Sequence, residues 1–330
     1  SLSLAWNPRG GSKTVVRLSF GRSYGAREIY YGQFATQGFN IGQTFVSKNS
    51  QLEGAVNLSR GIPAPPFPLP DLRPDALNES YADLVDATDN VPVYQSAGIS
   101  LEREIPGSIL LTLGGAYSGG KNLWVGAGAR NPNAIHPEVL EYGEQLYDDD
   151  FRRQFRPYPQ YRNFDLNGQI AAGRYNRNAG YVRLDKRSSK GLSLNFYYEF
   201  SKQMDDYSAP YGKQYMYSRE NEWSLTAGSN PHRATLTYMY ELPMGPNKWL
   251  LPVSGWSRHL VAGWSLSGST TFIAGEPTAL RPQYNRTAGI INGLRVNVVP
   301  GVDPHVSNPG PEQWFNPLAF DQPPDFTLGD

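Results

Sequence analysis

The chain alternates. Along residues 234–242, Leu236, Tyr238, Tyr240 and Leu242 fall on one side of an extended backbone, and Thr235, Thr237 and Glu241 fall on the other with Met239. Residues 192–201 set Leu192, Leu194, Phe196, Tyr198 and Phe200 against Ser193, Asn195, Tyr197, Glu199 and Ser201. Residues 259–272 set Leu260, Ala262, Trp264, Leu266 and Phe272 against Gly263, Ser265, Ser267 and Ser269. Val16, Leu18 and Phe20 oppose Arg17, Ser19 and Gly21, and Ile109, Leu111 and Leu113 alternate with Thr112 and Gly114. A period of two is the signature of a strand with one apolar and one polar face.

Length narrows the choice. The runs at 14–24 and 192–201 are longer than the five or six residues of an average strand. They suit a tilted strand that crosses a bilayer, which needs roughly 9–11 residues. The polar faces are rich in Ser, Thr, Gly, Asn and charge, as a wet interior requires.

The connections sort into two kinds. Short ones run through Pro8-Arg9-Gly10-Gly11-Ser12-Lys13, Ile105-Pro106-Gly107 and Arg187-Ser188-Ser189-Lys190-Gly191, with Gly or Pro supplying the turn. A longer one passes Pro243, Gly245 and Pro252. The remaining segments, at about 25–91, 119–176, 204–229 and 274–330, are too long for ordinary loops of a compact domain. Hairpins at one end and long loops at the other are the plan of an outer-membrane β-barrel. Trp6, Tyr24, Tyr94, Tyr117 and Tyr240 near the strand ends fit interfacial aromatic girdles. A soluble β-sandwich explains the alternation but leaves strand length and loop asymmetry without a cause.

Composition agrees. The 34 glycines and 27 prolines supply turns and stiff loops, and residues 63–70 form an extended proline-rich run. No cysteine is present, which removes disulfides, Cys-based zinc and a thiol nucleophile. Lys+Arg and Asp+Glu are both 30, which argues against a basic nucleic-acid-binding surface. No apolar run reaches the roughly 18 residues of a transmembrane helix.

Several short motifs follow one another along the chain: Leu4-Ala5-Trp6-Asn7-Pro8, Ser100-Leu101-Glu102-Arg103-Glu104-Ile105-Pro106-Gly107, Arg156-Pro157-Tyr158-Pro159 and Asn230-Pro231-His232-Arg233. Tyr238-Met239-Tyr240-Glu241-Leu242-Pro243, Gly263-Trp264-Ser265-Leu266-Ser267-Gly268 and Trp314-Phe315-Asn316-Pro317 follow in order. This order resembles the C-terminal half of the Oar-like TonB-dependent outer-membrane receptors. The resemblance implies a barrel of about 22 strands around a plug, energised through TonB for substrate uptake. The chain supplies eight to ten of those strands, and neither plug, TonB box nor regulatory-like domain falls within 1–330. The expectation is therefore a partial outer-membrane barrel, although eight strands can also close alone.

Charged residues on the polar faces, Arg17, Arg183, Asp185, Glu199 and Glu241, are expected to face the lumen, since lipid would cost them several kcal/mol. Leu194, Phe196, Tyr198, Leu236, Tyr238, Trp264 and Leu266 are expected to face lipid. The acidic run Glu138, Glu141, Glu144, Asp148, Asp149 and Asp150 reads either as a cation-binding loop or as a solvated short helix. Its spacing is not that of an EF-hand. His136, His232, His259 and His305 show no metal-pair spacing. No catalytic triad, Walker or dinucleotide motif is present, so neither an enzyme nor a cofactor is expected. The partners expected are outer-membrane lipid, the TonB complex through a plug, and surface lipoproteins or polymers. The rival readings are an adhesive or structural barrel and, less favoured by so few histidines, a barrel-type protease or lipase.

Overall fold

The computed structural model describes residues 1–8, 13–26, 44–47, 49, 52–63, 73–75, 78, 81–83, 90–125, 131–161, 163–165, 170–208, 213–215, 220–246, 248–252 and 255–330. All but the first residue of the proline-rich run, and most of the segment 25–91, lie outside these residues.

The regular structure of the described residues is mostly β. Its strands are β1 Leu2–Trp6, β2 Thr14–Tyr24, β3 Tyr81–Asp83, β4 Val93–Ile105, β5 Ile109–Val125, β6 Asn163–Asp165 and β7 Ile170–Ser189. They continue with β8 Leu192–Asp205, β9 Ser224–Leu225, β10 His232–Glu241, β11 Ser265–Ile273, β12 Asn297–Val298 and β13 Phe320–Asp321. The main sheet has the order β1-β2-β4-β5-β7-β8-β10-β11, with the short β9 added beside β8. Every pairing in it is antiparallel. The sheet is open, with β1 and β11 at its edges. Two small pairs stand apart, β12 with β13 and, in parallel, β3 with β6.

The turn chemistry explains the hairpins. Between β7 and β8 only Lys190 and Gly191 intervene, both at positive φ (53° and 78°), as a two-residue type I′ turn needs. Gly191 also sits against β10, where the Glu241 amide donates to the Gly191 carbonyl at 2.8 Å. Because neighbouring strands are antiparallel, the hairpins β1–β2, β4–β5, β7–β8 and β10–β11 all lie at one end of the sheet. The long segments after β2, β5, β8 and β11 all lie at the other.

Direct cross-strand partners share a face. One row runs Leu4, Leu18, Ile99, Gly115, Gly180, Phe200 and His232. The row beside it runs Ala5, Arg17, Ser100, Gly114, Tyr181, Glu199 and Arg233. Leu194, Phe196, Tyr198, Leu236, Tyr238 and Leu266 therefore share the apolar face, and Arg17, Arg183, Asp185, Glu199 and Glu241 share the polar one. The apolar face is exposed, with Leu4 at 57%, Ile99 at 56% and Leu266 at 53%. So wide an apolar surface needs a non-aqueous neighbour.

Strand ends depart from the sequence expectation. β5 runs to Val125 rather than stopping near Tyr117, and β7 begins at Ile170 rather than at 179. The segment between them is accordingly 126–169, shorter than 119–176. β8 continues to Asp205. The expected strand at 259–272 is cut back to Ser265 at its start. Its first residues form the single-turn helix α2 (here the second helix, Arg258–Val261), after the five-residue α1 at Asp149–Arg153. Gly263 ends that turn at φ 84°, and the Trp264 indole donates to the Leu260 carbonyl at 2.8 Å. Trp264 thus stands just before β11, not within it.

A buried apolar cluster lies off the sheet. Leu140, Leu146, Ala288, Ile291 and Leu294 pack together, joining 137–155 to 286–294. Phe151, Phe155, Phe326 and Leu328 cover the cluster. Tyr142 stacks on Phe155 with ring centroids 5.0 Å apart. The long segments after β5 and β11 thereby share one small core.

Candidate functional site

The polar face is a lattice of lateral bonds. Arg17 Nε donates to Glu102 Oε1 at 3.0 Å, from β2 to β4. Arg177 on β7 bonds Glu199 on β8, and the Tyr197 hydroxyl donates to the other Glu199 oxygen at 2.7 Å. Arg183 holds Asp185 at 2.8 Å, and the Asn195 amide bonds the same carboxylate from β8. Hydroxyls continue the pattern between β10 and β11, with Thr237 and Ser269 oxygens 3.1 Å apart. Four of the five charges expected on this face are thus neutralised by neighbours. Glu241 is placed at the hairpin end, where its amide rather than its carboxylate makes the described bond.

Such a face can be wetted and can dock polar protein surface.

A second polar cluster closes the long-segment end. Asp206, just past β8, accepts from the Arg174 amide at 2.8 Å and from Arg174 Nε at 3.1 Å. The Arg174 guanidinium lies 5.5 Å from the Trp223 ring centroid. The buried Glu222 carboxylate accepts from the Tyr215 amide at 2.9 Å and pairs with Arg295 at 3.2 Å. Gln214, 1% exposed, accepts the Arg295 amide at 2.9 Å and donates to the Gly329 carbonyl at 2.7 Å. Burial first, then the Asp205 carboxylate, push the nearby Tyr207 hydroxyl above the ordinary tyrosine range. Sequence reading missed this cluster, because its bonded partners lie up to 115 residues apart and carry no motif. The Asp205-Asp206 doublet closing an alternating run was the one local signal.

The acidic run is not brought together. Gly143 (φ 56°, ψ −130°) kinks the 3-10 helical stretch Pro137–Tyr147, so Glu138, Glu141 and Glu144 do not continue one helical face. Glu138 lies against His136, 3.4 Å from its Nδ1. Asp148 caps α1, accepting from the Asp150 and Phe151 amides at 2.9 and 3.1 Å. Asp149 pairs with Arg152. These contacts are those of helix capping. Among the described residues no three His, Asp or Glu side chains are placed to share a metal ion.

Two histidines have structural surroundings. His232 begins β10, with Nδ1 2.9 Å from the Tyr198 hydroxyl and its ring 5.0 Å from that of Phe200. His305 closes a turn on Asp303, whose carboxylate accepts from the His305 amide and ring, each at 2.9 Å. The amide bond first, and the ring second, hold the Asp303 carboxyl below its usual range.

Comparison with family models matches one described as an outer membrane beta barrel domain, over residues 2–330. No curated protein and no solved structure matches the chain.

Proposed function

The chain belongs to the outer membrane β-barrel domain family, and from that premise we propose that it is the barrel portion of a TonB-dependent receptor for energy-coupled uptake. The family places it in the bacterial outer membrane. On this reading the apolar face meets lipid and the polar face lines the interior, where it docks a plug that engages TonB.

The observation that carries the reading is the pair of open edges at β1 and β11. Hydrocarbon does not tolerate a row of unpaired backbone groups, so a lipid-embedded sheet continues into more strands or closes on itself. Continuation would give a barrel larger than eight strands, with room for a plug. The motif order of the Oar-like receptors supports the same choice. The long segments make first contact with substrate, surface lipoproteins or polymers. The protein acts as a transporter, not an enzyme, and needs no cofactor of its own.

The test is in-cell photo-cross-linking of the complete gene product to TonB, with and without an uncoupler. A TonB adduct whose yield changes when the proton gradient collapses supports uptake. A surface-exposed protein that yields no adduct and still binds matrix polymer supports the adhesive alternative instead.

A further inference from the structure

The two faces of the sheet differ in the sign of their charge. The polar face mixes arginines with Glu102, Asp185 and Glu199. On the apolar face the register places Arg22, Arg103, Lys121, Arg174, Lys186 and Lys202, and no Asp or Glu. Arg103 and Lys186 lie near the hairpins, where Lys186 Nζ donates to the Gly107 carbonyl at 2.9 Å. The other four lie toward the long-segment ends of their strands: Arg22 two residues from the end of β2, Lys202 three from the end of β8, and Lys121 and Arg174, paired with each other, four from the ends of β5 and β7.

Three of those four keep their charge available. Lys121 and Lys202 make no ion pair among the described residues, and Arg22 lies over the Tyr24 ring, 5.2 Å from its centroid. Arg174 is held by Asp206. A cation on a lipid-facing surface is costly unless it reaches the headgroup region. Water and neutral sugars at that level would accept acids as readily as bases. A row of cations with no acid among them suits an anion at that level.

The height is right for one. Lys202 lies ten residues beyond the start of β8. At about 3.4 Å per residue and a tilt of about 40°, that is roughly 26 Å, the span of an apolar band. Directly below Lys202 a groove of about 550 Å³ runs between Ile99, Tyr117 and Phe200, with mostly apolar walls.

We propose that this end of the apolar face binds a phosphorylated acyl lipid of the outer leaflet. Its phosphates sit on Lys202, Lys121 and Arg22, and one acyl chain lies in the groove. Long segments face outward in such barrels, which puts these cations at the outer leaflet.

The test uses the full chain purified in a non-ionic detergent and read by native mass spectrometry. Bis-phosphorylated lipid A is compared with its dephosphorylated form. The unaltered protein should retain the phosphorylated lipid. Dephosphorylation, or the combined change Arg22→Gln, Lys121→Gln and Lys202→Gln, should lower retention roughly tenfold or more. The hairpin-end pair Arg103→Gln and Lys186→Gln should leave it unchanged. Equal retention of the two lipids by the unaltered protein, or equal loss in both variants, overturns the proposal. Folding is followed by heat-modifiable gel mobility. If the triple variant does not fold, the two-lipid comparison on the unaltered protein decides.

Discussion

Arg17 and Glu102 are joined across the β2–β4 pair, Nε to Oε1 at 3.0 Å, on the face opposite Leu18 and Leu101. Their side chains are 55% and 26% exposed, so solvent screens the pair. A double-mutant cycle with Arg17→Ala and Glu102→Ala should give a coupling below about 1 kcal/mol. That coupling should fall as salt is raised. A salt-insensitive coupling of several kcal/mol would mean that the pair is dry, contrary to a wetted interior.

The identity of the face should matter more than the charge itself. Leu236 lies on the apolar side of β10 and Thr237 on the polar side. Leu236→Arg should destabilise the folded barrel by about 2–4 kcal/mol if the site is near the bilayer midplane. Thr237→Arg loses one hydroxyl contact with Ser269 and should cost about 1 kcal/mol or less. Denaturant titration in phosphatidylcholine vesicles separates the two. Equal costs would contradict the assignment of faces.

Gln214 ties the segment after β8 to the end of the chain through Arg295 and Gly329. Gln214→Leu keeps the volume and strands the buried Arg295 amide and Gly329 carbonyl. Loss of such partners costs about 1–3 kcal/mol locally. Limited proteolysis should then cut within 295–330 sooner, while the strand core stays protected. Unchanged cleavage would show that the hydrophobic cluster around Leu146 holds the segment alone.

The Asp303–His305 turn has a definite pH sense. The folded carboxyl is depressed below its ordinary value of 3.8 by the His305 amide and ring. A depressed carboxyl stabilises the folded turn above the ordinary value, and that help is lost as pH falls through the depressed one. The protection of the His305 amide, its exchange rate relative to the intrinsic rate at the same pH, should therefore hold down to about pH 3.8 and fall below it. A fall in protection that begins clearly above pH 3.8 would refute this.

Strand interiors were legible in the sequence and strand ends were not. Phe196 and Tyr198 alternate with Asn195 and Tyr197 because one side meets apolar surroundings. Beyond that zone the constraint vanishes: Arg174, Asn176 and Asn178 are polar on the apolar side too, so β7 was undercounted by nine residues at its start. Pairing with β5, not periodicity, keeps them extended. The opposite error occurred at Leu260 and Ala262, which keep the period but yield to Gly263 at positive φ. The charged lattice was half visible: parity placed Arg183 and Asp185 on one face, but Asn195 opposite Asp185 follows only from register, and Arg177 reaches Glu199 from a position opposite Gln203. The Leu146 core and the Gln214 cluster were invisible, since they join segments that only the folded sheet brings near one another.

The central claim is that one face of this sheet meets lipid and the other water. The absence of native cysteine makes the test simple, because each introduced cysteine is the only one. Residues 193–200 are replaced singly by cysteine, spin-labelled in the full chain in bilayers, and relaxed with oxygen or a water-soluble nickel chelate. The account predicts that labels at 194, 196, 198 and 200 respond mainly to oxygen, and those at 193, 195, 197 and 199 mainly to the chelate. Accessibility without a period of two, or with the opposite phase, would contradict it.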